Sequence, residues 1–507
     1  PYDRETDLTY WEEDPEAAVK ALNTCYTYLG NMDEQLYCEA MTDNAYTKQP
    51  NDATQNIGNG SYSTADPYVK KVWDGRYTGI RMCNELLENI DRVPDLDPEL
   101  KKRYIGEAKV LRAYNYYELY TKFGDVPYTT KVLSIKESMS IARTAKATVI
   151  ANVLADLDEV INGNYLPTSY DADNKGRITR WAAMAIKAKI YLFEGNWTQV
   201  KNITSTIMTE GGFKLFGSYA GLFEIANEYN SEVILDAQYR PTSREHQMMY
   251  VFLPPTLGGY SQLSPLQELV DSYIMLDGKT IKETGTSFDE SHPYANRDPR
   301  LKATVMYTGN SYTLADGTEV VINCEKGEGK DGYGVGSDCS ATGYYIKKYW
   351  DNTYRATLYS GLNPILIRYA DILLMNAEAL AELGELDKTA WDATIKPIRD
   401  RAGFTLASAL EFPEGASKDK LIEIVRNERR SELALEGHRH KDIIRWRIAD
   451  EVLNGWCHGL KTNEVVGTDN GYVRVENRTF NANKHYLWPI PQAERDLNGN
   501  LEQNPNW

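Results

Sequence analysis

The stretch "RNERRSELALEGHRHKDIIRW", residues 426–446, concentrates side chains that could do chemistry. Six cationic and four acidic residues and two histidines share it. Glu428 and Glu432 stand one helical turn apart, the spacing of an acid–base pair. A metal site would need histidine and carboxylate at helical spacing. His438 and His440 are two apart, on opposite sides of a helix, and the stretch contains neither H-E-x-x-H nor E-x-x-H. On a helix, Leu421, Val425, Glu428, Glu432 and Leu435 form one stripe, so an apolar face runs through two carboxylates. Carboxylates on a packed face need cationic partners. Arg429 and Arg430 are adjacent in sequence, but side-chain direction leaves room for another element to supply the partners. Interleaved signs of charge mark salt-bridged helix faces. The stretch therefore reads as a structural ionic lock between helices. Gly437 ends one helix and "HKDIIRW" begins another.

A second chemistry is suggested by 36 Tyr and 10 Trp against 10 Phe. Tyr and Trp join an apolar face to a polar handle, which suits wet surfaces that grip sugars. Most of these rings also fit a Tyr-rich helical core. Sugar recognition needs an aromatic face beside planar polar groups. "MTDNAY" (41–46) offers Asp43, Asn44 and Tyr46, and "VWDGRY" (72–77) offers Trp73, Asp74 and Arg76. Trp73 fits a helical apolar stripe equally well. A later irregular segment adds Tyr260, Tyr273, Tyr294, Tyr333, Tyr344, Tyr345 and Trp350. Asp43, Asn44, Trp73, Arg76, Tyr260, Tyr294, Trp350 and Arg368 are taken as candidate ligand contacts. Arg368, which opens the "RYAD" helix, has a competing role as partner to a scaffold carboxylate.

Helical periodicity positions these residues. "DPEAAVKALNTCYTYLG" (14–30), "DPYVKK…" (66–94) and "DPELKK…" (97–127) each open on Asp-Pro, a helix start. "WAAMAIKAKIYLFEGNWTQV" (181–200) and "YADILLMNAEALAELGELDKTAWD" (369–392) are Ala-rich helices followed by a Gly turn and a second helix. That is the pattern of tetratricopeptide-like helical hairpins. The composition shifts near 255. "TVMYTGNSYTLADGTEVVIN" reads as short strands around an Asp-Gly turn, and "EKGEGKDGYGVGSDCSATGYYIKKYW" as loop. The expected fold is all-α dominated. A helical-hairpin scaffold over about 14–254 and 361–455 carries a loop-rich, ligand-binding insertion with short strands over about 255–360. A tail follows over 456–507, and the whole chain counts as one domain. Gly-rich residues 325–345 are expected to add little to the core.

The net charge is −17, which argues against a nucleic-acid partner. No apolar run approaches the ~18 residues of a membrane-spanning helix. The six cysteines form no C-x-x-C pair, and Cys324 and Cys339 could bond to each other. The chain opens at "PYDRET" without Met, as a processed or trimmed form would. A glycoside hydrolase would need two carboxylates roughly 5–10 Å apart across a sugar cleft, and no pair is marked by a motif. A protein-binding helical scaffold is a third class.

"NERRSELALEGHRHKDIIRW" resembles the signature helix of the SusD/RagB family of outer-membrane glycan-binding lipoproteins of Bacteroidetes. "IRYADILLMNAEALAELGELDKTAWDATIKPIRDRAG" (367–403) resembles that family's preceding helical hairpin, and "YLWPIPQAERDLNGNLEQNPNW" (486–507) its C-terminal segment. "LRAYNYYELYTKFGDVPY" (111–128) adds the N-terminal half. The resemblance implies a tetratricopeptide-like scaffold and a non-enzymatic, cofactor-free, surface-exposed protein. It would bind an oligosaccharide or polysaccharide fragment and act as a lid over a SusC-like TonB-dependent transporter. The membrane would be met only through an N-terminal lipid anchor, absent from this chain; Cys25, inside a helix, is not that residue. A Trp near position 73 is where glycan-binding members often make contact.

Overall fold

The computed structural model describes residues 7, 9–48, 53–353 and 356–507. Contacts divide the chain into two units. The first comprises Pro1–Gly30, Tyr62–Glu194 and Asn481–Trp507, and the second Asn31–Ser61 and Gly195–Phe480.

In the first unit the Asp-Pro signals act as read. Asp66 accepts hydrogen bonds from the amides of Tyr68 and Val69 and starts the helix Pro67–Asn89. Asp97 caps Pro98–Phe123 through the amide of Leu100. Side-chain acceptors satisfy amides that have no partner within the helix. The 14–30 segment is shorter than expected, with its helix at Ala17–Tyr26. Pro98–Phe123 is buried on every side and packs against Ala17–Tyr26, Pro67–Asn89, Lys146–Asn162 and Arg180–Phe193. A helix buried all round must pair its polar side chains. Glu107 accepts from Tyr26 at 2.6 Å, and Arg112 reaches Asn84 at 2.8 Å and Asp156 at 2.5 Å. Gly79 allows a close crossing: a Cβ there would lie 2.8 Å from Tyr28 Cβ. The C-terminal residues close this unit. Asn504 donates to the carbonyls of Phe123 and Trp488 at 2.8 and 2.7 Å.

The second unit contains the helices Trp197–Glu210, Tyr369–Leu383, Lys388–Ala402 and Lys418–Glu432. Gly384, at φ +73°, turns the chain between the second and third of these. Leu373, Leu374, Trp391, Ile395, Leu421 and Val425 are buried together between them. Short antiparallel pairs join Ala45–Thr47 to Leu263–Pro265, Val233–Asp236 to Ile365–Arg368, and Val305–Met306 to Tyr345–Ile346. The Asp-Gly hairpin is present as Ser311–Thr313 against Glu319–Val321. Residues 455–478 form a three-stranded sheet of Gly455–Lys461, Thr468–Asp469 and Tyr472–Arg478, with the last in the middle. The fold is thus helix-rich with few short strands, as the sequence predicts.

One expectation needs correction. The 255–360 region is irregular, but its apolar residues do not stand apart. Leu263, Tyr273, Leu301, Tyr312, Cys324, Tyr344, Tyr345 and Ile346 share a core with Leu36, Phe252 and Leu435. The glycines of 325–338 hide a chain that returns to that core at once. The Tyr345 hydroxyl donates to the Asp331 carbonyl at 2.5 Å. Cys324 and Cys339 are buried and not bonded to each other.

Candidate functional site

The charge-rich stretch resolves into buried ion pairs. Glu432 meets Arg300 at 2.8 Å, Arg368 at 2.6 Å, and Arg401. Glu428 meets Arg300 and Arg399, each at 2.7 Å. Glu436 meets Lys348 and Arg368, again at 2.7 Å. Burial would push the Glu432 carboxyl up, but Arg401, Arg368 and Arg300 together hold it well below the usual carboxylate range. The partners come from other elements, as side-chain direction allowed. Arg429 instead pairs with Asp371 at 2.6 Å and Asp442 at 2.9 Å. The two carboxylates that had acid–base spacing are locked among arginines and 2% exposed or less.

Five of the eight candidate contacts are likewise buried. Asp43 and Asn44 do not open onto a ligand face. Arg439 grips both Asp43 oxygens at 2.8 Å, and Arg430 donates to Asn44 at 3.0 Å. Burial opposes ionisation of Asp43, yet Arg430 and Arg439 hold its carboxyl below the usual range. Arg368 is 1% exposed, and its guanidinium is spent on Glu232, Glu432 and Glu436. Trp73 is 4% exposed; its ring packs 5.0 Å edge-on to Phe123 and 4.9 Å from Tyr77. It reaches only the wall of a cavity of about 350 Å³ within the first unit, with Tyr77, Thr129 and Leu501. Arg76 donates to the Tyr28 carbonyl at 2.9 Å and lies over the Tyr114 ring. The periodic stripe of Pro67–Asn89 thus decides the fate of both residues.

Two candidates are half-buried. Tyr294 stacks on Tyr307 at 4.0 Å, with its hydroxyl 3.2 Å from that of Tyr344. Trp350 donates its indole N–H to the Thr313 carbonyl at 2.8 Å and meets Tyr312 at 5.3 Å. Tyr273, Tyr344 and Tyr345 are core residues.

Tyr260 is different. It is 48% exposed and lies nearly parallel to Tyr250, with centroids 6.0 Å apart at 18°. Tyr359, also exposed, meets Tyr250 edge-on at 6.2 Å and 88°. Local sequence builds this arrangement. Tyr250 sits on the short helix Met248–Phe252, and the two prolines that follow end it. Gly258, at φ +87°, turns the chain back. Gly259 must be glycine, because a Cβ there would lie 2.1 Å from the Leu253 carbonyl oxygen. The Tyr260 amide then donates to the Tyr250 carbonyl at 2.8 Å, which locks the two ring-bearing residues side by side. Asp331 accepts from the Thr256 amide at 2.8 Å and pins the loop from below. Parallel phenol rings with exposed surface can stack on the C–H face of a sugar, and their hydroxyls can donate to or accept from its hydroxyls. Tyr250 and Tyr359 escaped the sequence reading. The signal for Tyr250 was there: "YVFLPPTLGGY" sets a tyrosine at each end of a Pro-Pro…Gly-Gly reversal.

Comparison with known proteins places this geometry in context. A family model described as the SusD family matches residues 222–507. A second, described as starch-binding associating with outer membrane, matches residues 16–192. The chain is 28% identical over 494 residues to SusD-like protein P25 of Formosa agariphila, covering 88% of each. It superposes with a TM-score of 0.85 on the crystal structure of a SusD-like carbohydrate-binding protein from Bacteroides fragilis, at 28% identity, covering 97% of this chain and 100% of that one. A laminarin-binding SusD-like protein shares the fold, with a TM-score of 0.72 at 24% identity over 97% of this chain and 99% of that one.

Proposed function

The chain belongs to the SusD family, and from that premise we propose that it captures glycan fragments on the Tyr250–Tyr260–Tyr359 surface without cleaving them. The captured oligosaccharide or polysaccharide fragment passes to a SusC-like TonB-dependent transporter. The protein works at the cell surface, held to the outer membrane by an N-terminal lipid anchor. The family model that matches residues 16–192 is described as starch-binding associating with outer membrane, and among the described residues no helix is long and apolar enough to cross a membrane.

One observation carries the reading: a loop-locked pair of parallel tyrosine rings, the exposed Tyr260 and the half-buried Tyr250, with the exposed Tyr359 edge-on. Aromatic surface of this size left in water is a binding feature, since large rings otherwise bury. The charge-rich helix supports the non-catalytic part. Its carboxylates are consumed by arginines, so the acid–base pair with the best spacing has neither access nor a free proton.

Electrophoresis in native gels containing starch or laminarin tests this. The wild type is retarded in at least one, and Tyr250→Ala with Tyr260→Ala is retarded far less while staying folded at the temperature of the gel. An open platform of this kind has a Kd on the order of micromolar to millimolar. Retardation equal to that of the wild type after the double substitution would rule the platform out. New reducing ends released from the bound polysaccharide would rule out the non-catalytic reading.

A further inference from the structure

A second exposed aromatic face lies on the sheet of residues 455–478. Trp456 is 41% exposed, the one tryptophan among the exposed large hydrophobic residues described. It stands opposite Asn477, and His458 opposite Arg474, with irregular register on either side of Arg474. The Arg474 guanidinium lies 5.5 Å from the Trp456 ring centroid. It is held there by Asp469, whose Oδ1 accepts from its Nε at 2.9 Å. The other Asp469 oxygen faces His458 Nε2 at 3.0 Å, while His458 Nδ1 faces Glu268 at 2.8 Å. The His458 ring thus lies between two carboxylates, which favour its protonated form. The chain of contacts runs Glu268–His458–Asp469–Arg474–Trp456. Arg474, Asp469 and Glu268 each find a partner inside the cluster.

We propose that the Trp456–Arg474 face is a second sugar-binding platform, selective for neutral glycan chains. This rests on the reading of the protein as a glycan-capture protein. The indole keeps exposed aromatic surface, and the guanidinium that lies over its ring is a planar donor whose direction is fixed by Asp469. Because the charged groups of the cluster are already paired with one another, a charged occupant finds no free counter-charge there. A neutral polyol can hydrogen-bond its edges without leaving a charge bare. Trp and Arg also anchor protein interfaces, and the adjoining loop exposes Val465 and Val466. The fixed, internally paired charges favour the sugar, and the protein partner is an outcome of the test. A polymer that engages both platforms binds more tightly than either site alone.

The probe is an array of immobilised neutral and acidic polysaccharides, among them starch and laminarin, read with the wild type, Trp456→Ala and the Tyr250→Ala/Tyr260→Ala variant. The proposal expects Trp456→Ala to weaken binding to neutral polymers by roughly ten-fold or more, with an unchanged melting temperature. Wild-type affinity in Trp456→Ala, on an array where the tyrosine variant has lost binding, overturns this platform and leaves the proposed function standing. A wild type that marks no glycan overturns both. Loss of transporter co-purification by Trp456→Ala, with array binding intact, makes the face a protein contact and overturns the proposal. Hydroxyl-radical footprinting of the unmodified protein gives an answer independent of any variant. Trp456 should be protected when the polysaccharide marked on the array is added, and equal oxidation with and without it contradicts the proposal.

Discussion

Glu432 sits where three arginines converge, at 2.6 and 2.8 Å from Arg368 and Arg300 and against Arg401. Its alternation with leucines on one stripe was legible in the sequence, and that stripe alone marked it as structural. Its partners were not legible, because Arg300 and Arg368 lie far away in the chain and only folding brings them in. Glu432→Ala leaves those guanidiniums buried without their carboxylate, which costs about 3–5 kcal/mol. The melting temperature should fall sharply, while glycan binding measured below the transition persists; lost binding with an unchanged transition would contradict the structural role. Trp73 teaches the converse. Its helical spacing and its glycan-like neighbours pointed in different directions, and packing against Phe123 decided the matter. Trp73→Ala should cost about 3–5 kcal/mol through the cavity it leaves, again with binding retained in the folded protein.

At the scale of elements, the Asp-Pro helix starts and the Asp-Gly hairpin were legible because each rests on local backbone chemistry. The 325–345 segment was misjudged because glycine content reports on turns, not on what lies between them. Cys339, Tyr344 and Tyr345 are buried there, with relative exposures of 5, 2 and 0%. Excising 325–345 should therefore abolish cooperative unfolding of the second unit; a truncated protein that keeps its melting transition would contradict this. The His458 bridge joins the helix Gln267–Ser272 to the sheet of residues 455–478 through Glu268 and Asp469. Its hydrogen bonds to Glu268 first, and then to Asp469, raise its pKa above the ordinary histidine value, against the effect of burial. A raised folded-state pKa means that the bridge stabilises fully below about pH 6.5, the unfolded value. That contribution disappears as pH climbs through the folded-state value. Wild type should lose stability relative to His458→Gln across that window, as followed by melting temperature against pH. Parallel curves for the two proteins would show the imidazolium bridge to be inert.

For the whole molecule, the motifs near both ends of the chain were enough to place it in the SusD family, and the helix-rich scaffold followed. The proposed recognition surface was less legible. Tyr260 was singled out by composition, but its stacking on Tyr250 depends on a reversal through Gly258 and Gly259 that a residue-by-residue reading passes over. The interior place of the strongest cluster of charge was legible, because Glu428 and Glu432 share a stripe with Leu421, Val425 and Leu435. The central claim is that sugar binds on exposed tyrosine rings and not at the charge-rich helix or at Trp73. The most direct measurement is a crystal structure of the protein soaked with an oligosaccharide cut from the polysaccharide that retards it in native gels. The account predicts electron density for a sugar ring stacked on Tyr250 and Tyr260, with Tyr359 at its edge. Density in the cavity beside Trp73 or along residues 426–446, with the tyrosine rings bare, would contradict it.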